Sequence, residues 1–221
     1  MSTDRFEPTP RTKVRRLPHL AVHDRATIHA ILDEGTFCHT GIVVDGQPYV
    51  LPMAYARRDD TILLHGSAAS RVVNALAAGT PACVTVTIVD GIVLARAAFN
   101  HTMNYRSVMA FGIATPIEDA ARRREALEVL VEHQVPGRTR DARGPDDREM
   151  KATTVLEFPL TEVSAKMRSG PPRDDPGDVA LPIWAGVIPV RAQFLAPEPA
   201  PDLPGPISPP SYVTGYRRGR K

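Results

Sequence analysis

Short runs of β-branched and apolar residues, closed by small-residue turns and following one another in hairpin order, constrain this chain more than any other feature. FCHTGIVV and YVLPMAYA flank Asp45-Gly46-Gln47-Pro48. An Asp-Gly pair between two such runs is a hairpin signal, here with room for a loop longer than two residues. TILLHGS reads as a third strand, ACVTVTIVDGIVLA as strand material around a second Asp-Gly turn, and MNYRSVMAFGIATPIE as a long strand with Gly112 as a candidate bulge. TTVLEFPLTEVSAKMR restores the two-residue period, and LPIWAGVIPV is a last apolar piece that holds the only tryptophan. Strands in this order, with helices inserted, predict a mainly β fold: a closed or nearly closed antiparallel barrel, with an open α+β sheet as the alternative. A Rossmann unit is disfavoured, because there is no βαβ alternation and no GxGxxG after the first strand.

The expected helices are few. Asp24 can cap a helix with Ile28, Ile31 and Leu32 at helical spacing, and Gly35 is expected to supply its left-handed stop. Ala68 to Ala78 reads as a short helix ended by Gly79. A stronger one runs from about Glu118 to His133, with Leu127, Leu130 and Val131 on its core face. GRTRDARGPDDRE and SGPPRDDPGD read as solvated loops, the second because its prolines and acids are poor packing material. The expected organisation is a flexible leader over 1–12, one domain over 13–195, and a disordered, Pro-rich, basic-ended tail over 196–221.

Composition removes several function classes. A chain of 221 residues with 43% hydrophobic content can build a core, and 27 Lys+Arg against 25 Asp+Glu leave +2, which is no field that demands nucleic acid. Cys38 and Cys83 have no CxxC spacing and read as free thiols, which suits a reducing cytoplasm. The N-terminal MSTDRFEPTPRTKVRRLP has no apolar stretch before its basic cluster, and no segment approaches the ~20 apolar residues of a membrane span. A soluble cytoplasmic protein without a membrane partner is therefore expected. His19 and His23 stand at i,i+4 without HExxH or a third ligand, so no metal is expected, and Cys38 and His39 point to opposite faces of one strand.

The stretch TILLHGSAASRVVNAL carries the chemistry. A strand stops at His65-Gly66-Ser67 and a helical pattern starts straight after it. A helix N-terminus presents unpaired N–H groups and the positive end of its dipole to an anion. Ser67 and Ser70 can add hydroxyl donors, Arg71 a planar fork for phosphate oxygens, and Gly66 a close backbone approach. The plain alternative is a Gly-Ser cap with a solvated arginine, and the residues alone favour it. Met53 and Tyr55 likewise alternate on a strand and can be packing residues or ring contacts. His65 can donate a proton near neutrality, or simply end a strand in a hydrogen bond.

Taken in order, TKVRRLPHLAVHDRATIHAILDEG, YVLPMAYAR, LLHGSAASR, HTMNYRSVMAFGIATPIED and SAKMRSGPP with LPIWAGVIPV resemble the pyridoxamine 5′-phosphate oxidase-related family of FMN-binding split barrels. Within it they are similar to the flavin-nucleotide-binding branch near the nitroimidazole-resistance proteins, over about Lys13 to Val190. The resemblance implies an antiparallel, Greek-key-like split β-barrel and a homodimer with FMN in the groove between subunits. It places Met53, Ala54 and Tyr55 beside the isoalloxazine ring and His65, Gly66, Ser67, Ser70 and Arg71 around the ribityl phosphate. It brings Tyr105, Arg106 and Ser107 toward the flavin, and it makes Lys166 and Arg168 candidates for the dimer groove and Trp184 for covering the flavin. Many members follow the arginine with lysine; Val72 stands here, so phosphate charge is expected to rest on Arg71 and Arg106. The implied function is an FMN-dependent oxidoreductase passing electrons from a reduced nicotinamide or another donor to a small acceptor, with His65 as candidate proton donor. The alternatives are a non-catalytic flavin- or haem-handling protein and a deazaflavin-dependent reductase. Pyridoxamine 5′-phosphate oxidation itself is disfavoured, because AGVIPVRAQ stands where an Arg-x-His-x-Arg-like element is associated with that activity.

Overall fold

The computed structural model describes residues 4–218; the ends of the expected leader and tail, 1–3 and 219–221, lie outside the described residues. In chain order the elements are β1 (Ala21–Val22), α1 (Arg25–Glu34), β2 (Cys38–Val44), β3 (Gln47–Met53), β4 (Tyr55–Arg58), β5 (Thr61–Ser67), α2 (Arg71–Ala77) and β6 (Pro81–Leu94). They continue with β7 (Thr102–Ile113), β8 (Thr115–Pro116), α3 (Ala120–Gln134), α4 (Asp147–Ala152), β9 (Thr153–Pro159), β10 (Glu162–Arg168), β11 (Gly186–Pro189) and α5 (Ser211–Thr214). One antiparallel sheet orders its strands β1-β10-β7-β6-β2-β3 with β11 beside β6, and a second orders β4-β5-β9-β8. This is the mainly antiparallel β architecture, with a few helices, of a split barrel.

Local chemistry explains the β2–β3 hairpin. Val44 pairs with Gln47, and Asp45 and Gly46 sit at φ 52° and 77°, a two-residue turn with both centres left-handed. The loop is therefore no longer than two residues. The second Asp-Gly pair behaves differently: β6 runs straight through Asp90-Gly91 with only a register shift, because β11 packs alongside. A Cβ on Gly91 would lie 2.8 Å from Val187 Cγ1, so glycine serves strand approach there and not reversal. Gly112 is no bulge either; it pairs in register with Ala82, and its missing side chain makes room for the Phe158 ring. Gly35 closes α1 at φ −65°, not left-handed, and a Cβ there would sit 2.5 Å from Val86 Cγ1.

The run YVLPMAYA leaves one sheet and enters the other at Ala54. Tyr55 thereby becomes fully buried beside Phe158, Leu32, Leu64 and Leu156 in the main core. Ala126 and Leu130 of α3 cover a smaller cluster with Ala56, Leu63, Ile117 and Val155, whereas Val131, expected on the core face, is 38% exposed. The expectation for SGPPRDDPGD also needs correction. The Asp174 side chain is only 2% exposed, because it accepts the Arg96 backbone N–H and pairs with the Arg96 guanidinium.

The leader and tail are docked. Phe6 is buried under the Arg25 guanidinium, 4.1 Å from its ring centroid, and its N–H donates to His23 O. In the tail, the Tyr212 hydroxyl donates to Asp141 at 2.6 Å, the Tyr216 hydroxyl donates to Gln134 O at 2.6 Å, and the Tyr216 ring meets Phe194 edge-on. Arg218 then spans the C-terminal ends of two helices, donating to Asp33 O, Glu34 O and Gly35 O beside α1 and to His133 O and Gln134 O of α3. Proline content thus misjudged the tail, because a few aromatic and arginine anchors suffice to hold it.

One of these anchors is pH-dependent. His133 Nε2 lies 2.6 Å from the Arg218 guanidinium and must accept, which requires a neutral ring. Burial and the Arg218 charge push His133 down to about 4, against smaller opposing effects from the Gly35 backbone and Asp33, with Arg57 acting in the same sense as Arg218. Above about pH 6.5 this group is neutral whether the chain is folded or not; between about 6.5 and 4 only the unfolded chain binds the proton. Stability is therefore expected to fall as pH drops through that window. Urea melts from pH 7.5 to 4 should show it, and His133→Asn should flatten that part of the profile.

Candidate functional site

The HGSAASR segment forms a tight crossing from β5 to α2. Ser70 caps α2, its Oγ accepting the Val73 N–H at 3.4 Å, and Ser67 Oγ accepts the Ala69 N–H at 3.2 Å. Each hydroxyl spends a lone pair on the backbone and keeps its own proton for an outside acceptor. Gly66 is glycine because α2 lies against the strand: a Cβ there would be 2.6 Å from Val73 Cγ2. Val72, where the resemblance suggested lysine, packs into the core at 5% exposure.

Arg71 stands at the edge of this turn with an exposed side chain. Its Nη1 donates to the Tyr49 hydroxyl at 3.2 Å and its guanidinium lies 5.8 Å from that ring. Among the described residues no carboxylate pairs with it. His65 is half-buried, its Nδ1 has no hydrogen-bond partner, and burial lowers its pKa, so the ring is neutral near pH 7. Two hydroxyl protons and an unneutralised guanidinium form a donor set that fits a phosphate ester, whereas the enclosed His65 Nδ1 is no part of it.

The other expected contacts separate into different places. Met53 is half-buried at the end of β3 and Ala54 is exposed. Tyr55 is a core residue whose hydroxyl donates to Leu32 O and whose ring lies 5.1 Å from that of His133, so it cannot share a surface with them. On β7 the two-residue period puts Arg106 inward and Tyr105 and Ser107 outward, with Ser107 Oγ 3.1 Å from Thr87 Oγ1. Arg106 does not supply phosphate charge. Its guanidinium is clamped bidentately by Asp90 and by Glu34, which hold its pKa above the usual arginine range. Lys166 is half-buried in β10, opposite Ser107 and Ala21. Arg168 donates to Asn104 Oδ1, and Trp184 is 68% exposed with its ring folded over Gly186.

Sequence reasoning missed Tyr49, although it shares the half-buried face of β3 with Met53 two pleats on. It also missed Glu34, Asp90 and Asn104, which no local motif connects. Among the described residues there is no group of three His, Cys, Asp or Glu side chains able to hold a metal ion, and no helix is long and apolar enough to cross a membrane.

The sequence model described as pyridoxamine 5′-phosphate oxidase matches residues 24–167. Among solved structures, a flavocytochrome Anf3 from Azotobacter vinelandii is 40% identical, with 97% of this chain and 100% of that chain covered and a TM-score of 0.91. An FAD and haem binding protein from Mycobacterium smegmatis is 34% identical over 90% of this chain and 98% of that one, with a TM-score of 0.86. A protein described as a 5-nitroimidazole antibiotic resistance protein, from Bacteroides thetaiotaomicron, is 26% identical over 66% and 85% with a TM-score of 0.56. A comparison with curated proteins gives no match.

Proposed function

This chain belongs to the pyridoxamine 5′-phosphate oxidase family, a flavin-binding fold, and on that premise we propose that it is a flavocytochrome-type redox protein holding a flavin nucleotide and a haem. The observation that carries the flavin assignment is the β5–α2 turn, where Ser67, Ser70 and Arg71 offer donors to one phosphate and lack an anionic partner of their own. FMN and FAD both present that phosphate; the name of the 34% identical relative favours FAD over the expected FMN.

A haem needs an apolar bed and an iron ligand. His101 would hold the iron: its Nδ1 lies 3.1 Å from Ala97 O, so it carries the proton and leaves the Nε2 lone pair free on an exposed ring. Beside it in sequence Phe99 is 94% exposed, and Met103 continues across the sheet into Ile92 and Ile188, a row of exposed apolar side chains. When bound, flavin and haem would supply electron transfer from a reduced nicotinamide or another donor to a small acceptor. The protein's part is to hold the phosphate at Arg71 and to keep His65 neutral and able to exchange a proton.

The same exposed row, with Val43, Val50, Met109 and Ile113 also exposed, supports a homodimer that buries this sheet. Cys38, whose thiol burial pushes up to about 11, and Cys83 are both free, which fits a reducing cytoplasm. Native mass spectrometry of the purified protein tests these readings together. The expected species is a dimer releasing one FAD per subunit, with a haem Soret band in the visible spectrum that His101→Ala shifts or abolishes. A monomer that neither carries nor takes up flavin on titration would overturn the proposal.

A further inference from the structure

A cavity of about 670 Å³ lies where β6, β7 and β10 meet the chain following β11, and none of its lining residues belongs to the β5–α2 turn. Its walls are apolar at Ile88, Met167 and Val190. Its charges are unbalanced: Glu34 and Asp90 are both taken up by the buried Arg106, while Arg168, Arg191 and Arg218 line the same space. Arg218 is bonded to backbone carbonyls and His133, which leaves its charge unneutralised.

Arg168 is the telling residue. It is half-buried, and among the described residues its donors reach only Asn104 Oδ1 and, at 3.2 Å, Pro171 O. Asn104 is itself buried and fixed in orientation, because its Nδ2 donates to Gly170 O at 3.1 Å. A partly buried guanidinium that no carboxylate pairs with among the described residues is held at a cost, and here burial and the neighbouring Arg173 act against its charge while Tyr105 acts in its favour. An incoming oxyanion would remove that cost. The volume also falls in the range of small-molecule sites, which pair apolar walls with a few placed polar groups.

We propose that this cavity is a second ligand site, separate from the flavin phosphate turn, for an apolar compound bearing a carboxylate or phosphate that Arg168 holds. The strap after β11 and Arg218 from the tail supply part of its wall, so the site is complete only when the tail is docked.

The test is isothermal titration of the flavin-loaded full chain with 2-naphthyl phosphate, 2-naphthoate and the uncharged 2-naphthol. Both anions, or one of them, should bind at least about tenfold tighter than 2-naphthol, and the ratio between them identifies the preferred oxyanion. Arg168→Gln should weaken the anions about tenfold and leave 2-naphthol unchanged. Arg191→Gln, an exposed position where folding is not at stake, should weaken them by a smaller factor. Excess free FMN should not displace them, which separates this site from the turn and lets it stand even if the flavin reading fails. Absence of anion binding, equal affinity for 2-naphthol, insensitivity to both substitutions, or displacement by FMN would each overturn the proposal.

Discussion

Arg218→Ala is expected to lower the melting temperature by about 6–12 °C, a large effect for a residue three positions from the end of the sequence. The guanidinium satisfies carbonyls at the C-terminal ends of both α1 and α3, where helices carry unpaired acceptors and the negative ends of their dipoles. Hydrogen bonds to a charged group contribute roughly 1.5–3 kcal/mol net, and complementing two dipoles adds a few tenths each, so a loss of about 3 kcal/mol follows. In a domain of this size each kcal/mol moves the melting point by roughly 2–4 °C. Arg217→Ala, one residue earlier and exposed, is the control and should change little. Differential scanning calorimetry of the two variants decides the matter. Equal, small shifts would mean that the tail is only laid on the surface.

Arg71→Ala should weaken FMN about tenfold to a hundredfold while leaving riboflavin nearly unchanged, because riboflavin has no phosphate for the guanidinium to hold. The structure pushes this toward the upper end. Val72 is buried in the core and Arg106 is saturated by Glu34 and Asp90, so no second cation from the expected set stands in reserve at the turn. Ser67→Ala should do less, since a neutral hydroxyl is the weaker donor and Arg71 remains. Fluorescence titration of apoprotein with both flavins reads the difference. Unchanged binding of both would return Arg71 to the solvated surface. Equal loss of both would mean that the substitution damaged the fold or the ring pocket.

Features set within a few residues were legible in the amino-acid sequence. Asp24 caps its helix as its side chain and spacing indicate, because a cap is a contact across three residues, whereas α2 starts at Arg71 with Ser70 as its cap, three residues later than the expected start at Ala68. The Asp45-Gly46 turn, the two-residue period of β2 and β7, and the clustering of Ser67, Ser70 and Arg71 at one strand-to-helix crossing are local in the same sense. The ordered set of segments also carried the family, since each segment brings its own residues and their succession is specific.

Tertiary structure decided the rest. Tyr55 could be read as a packing residue or as a ring contact until the chain changed sheets at Ala54 and turned that position into the core, an outcome set by strand pairing between distant segments. Arg106 looked like a phosphate ligand, yet its partners Asp90 and Glu34 lie 16 and 72 residues away, and a charge chooses the nearest counter-charge in space, not in sequence. Gly91 and Gly112 carry the same residue type as Gly46, but the first two answer to a neighbouring strand and a phenylalanine ring while the last answers to its own backbone angle. The docked tail follows the same logic. By itself the sequence determined which segments take which local conformation and which donors stand together at the turn, because these depend on neighbouring dihedrals. Which faces became interior, which arginines were neutralised and where Tyr212, Tyr216 and Arg218 came to rest depended on surfaces that exist only once the sheets have closed.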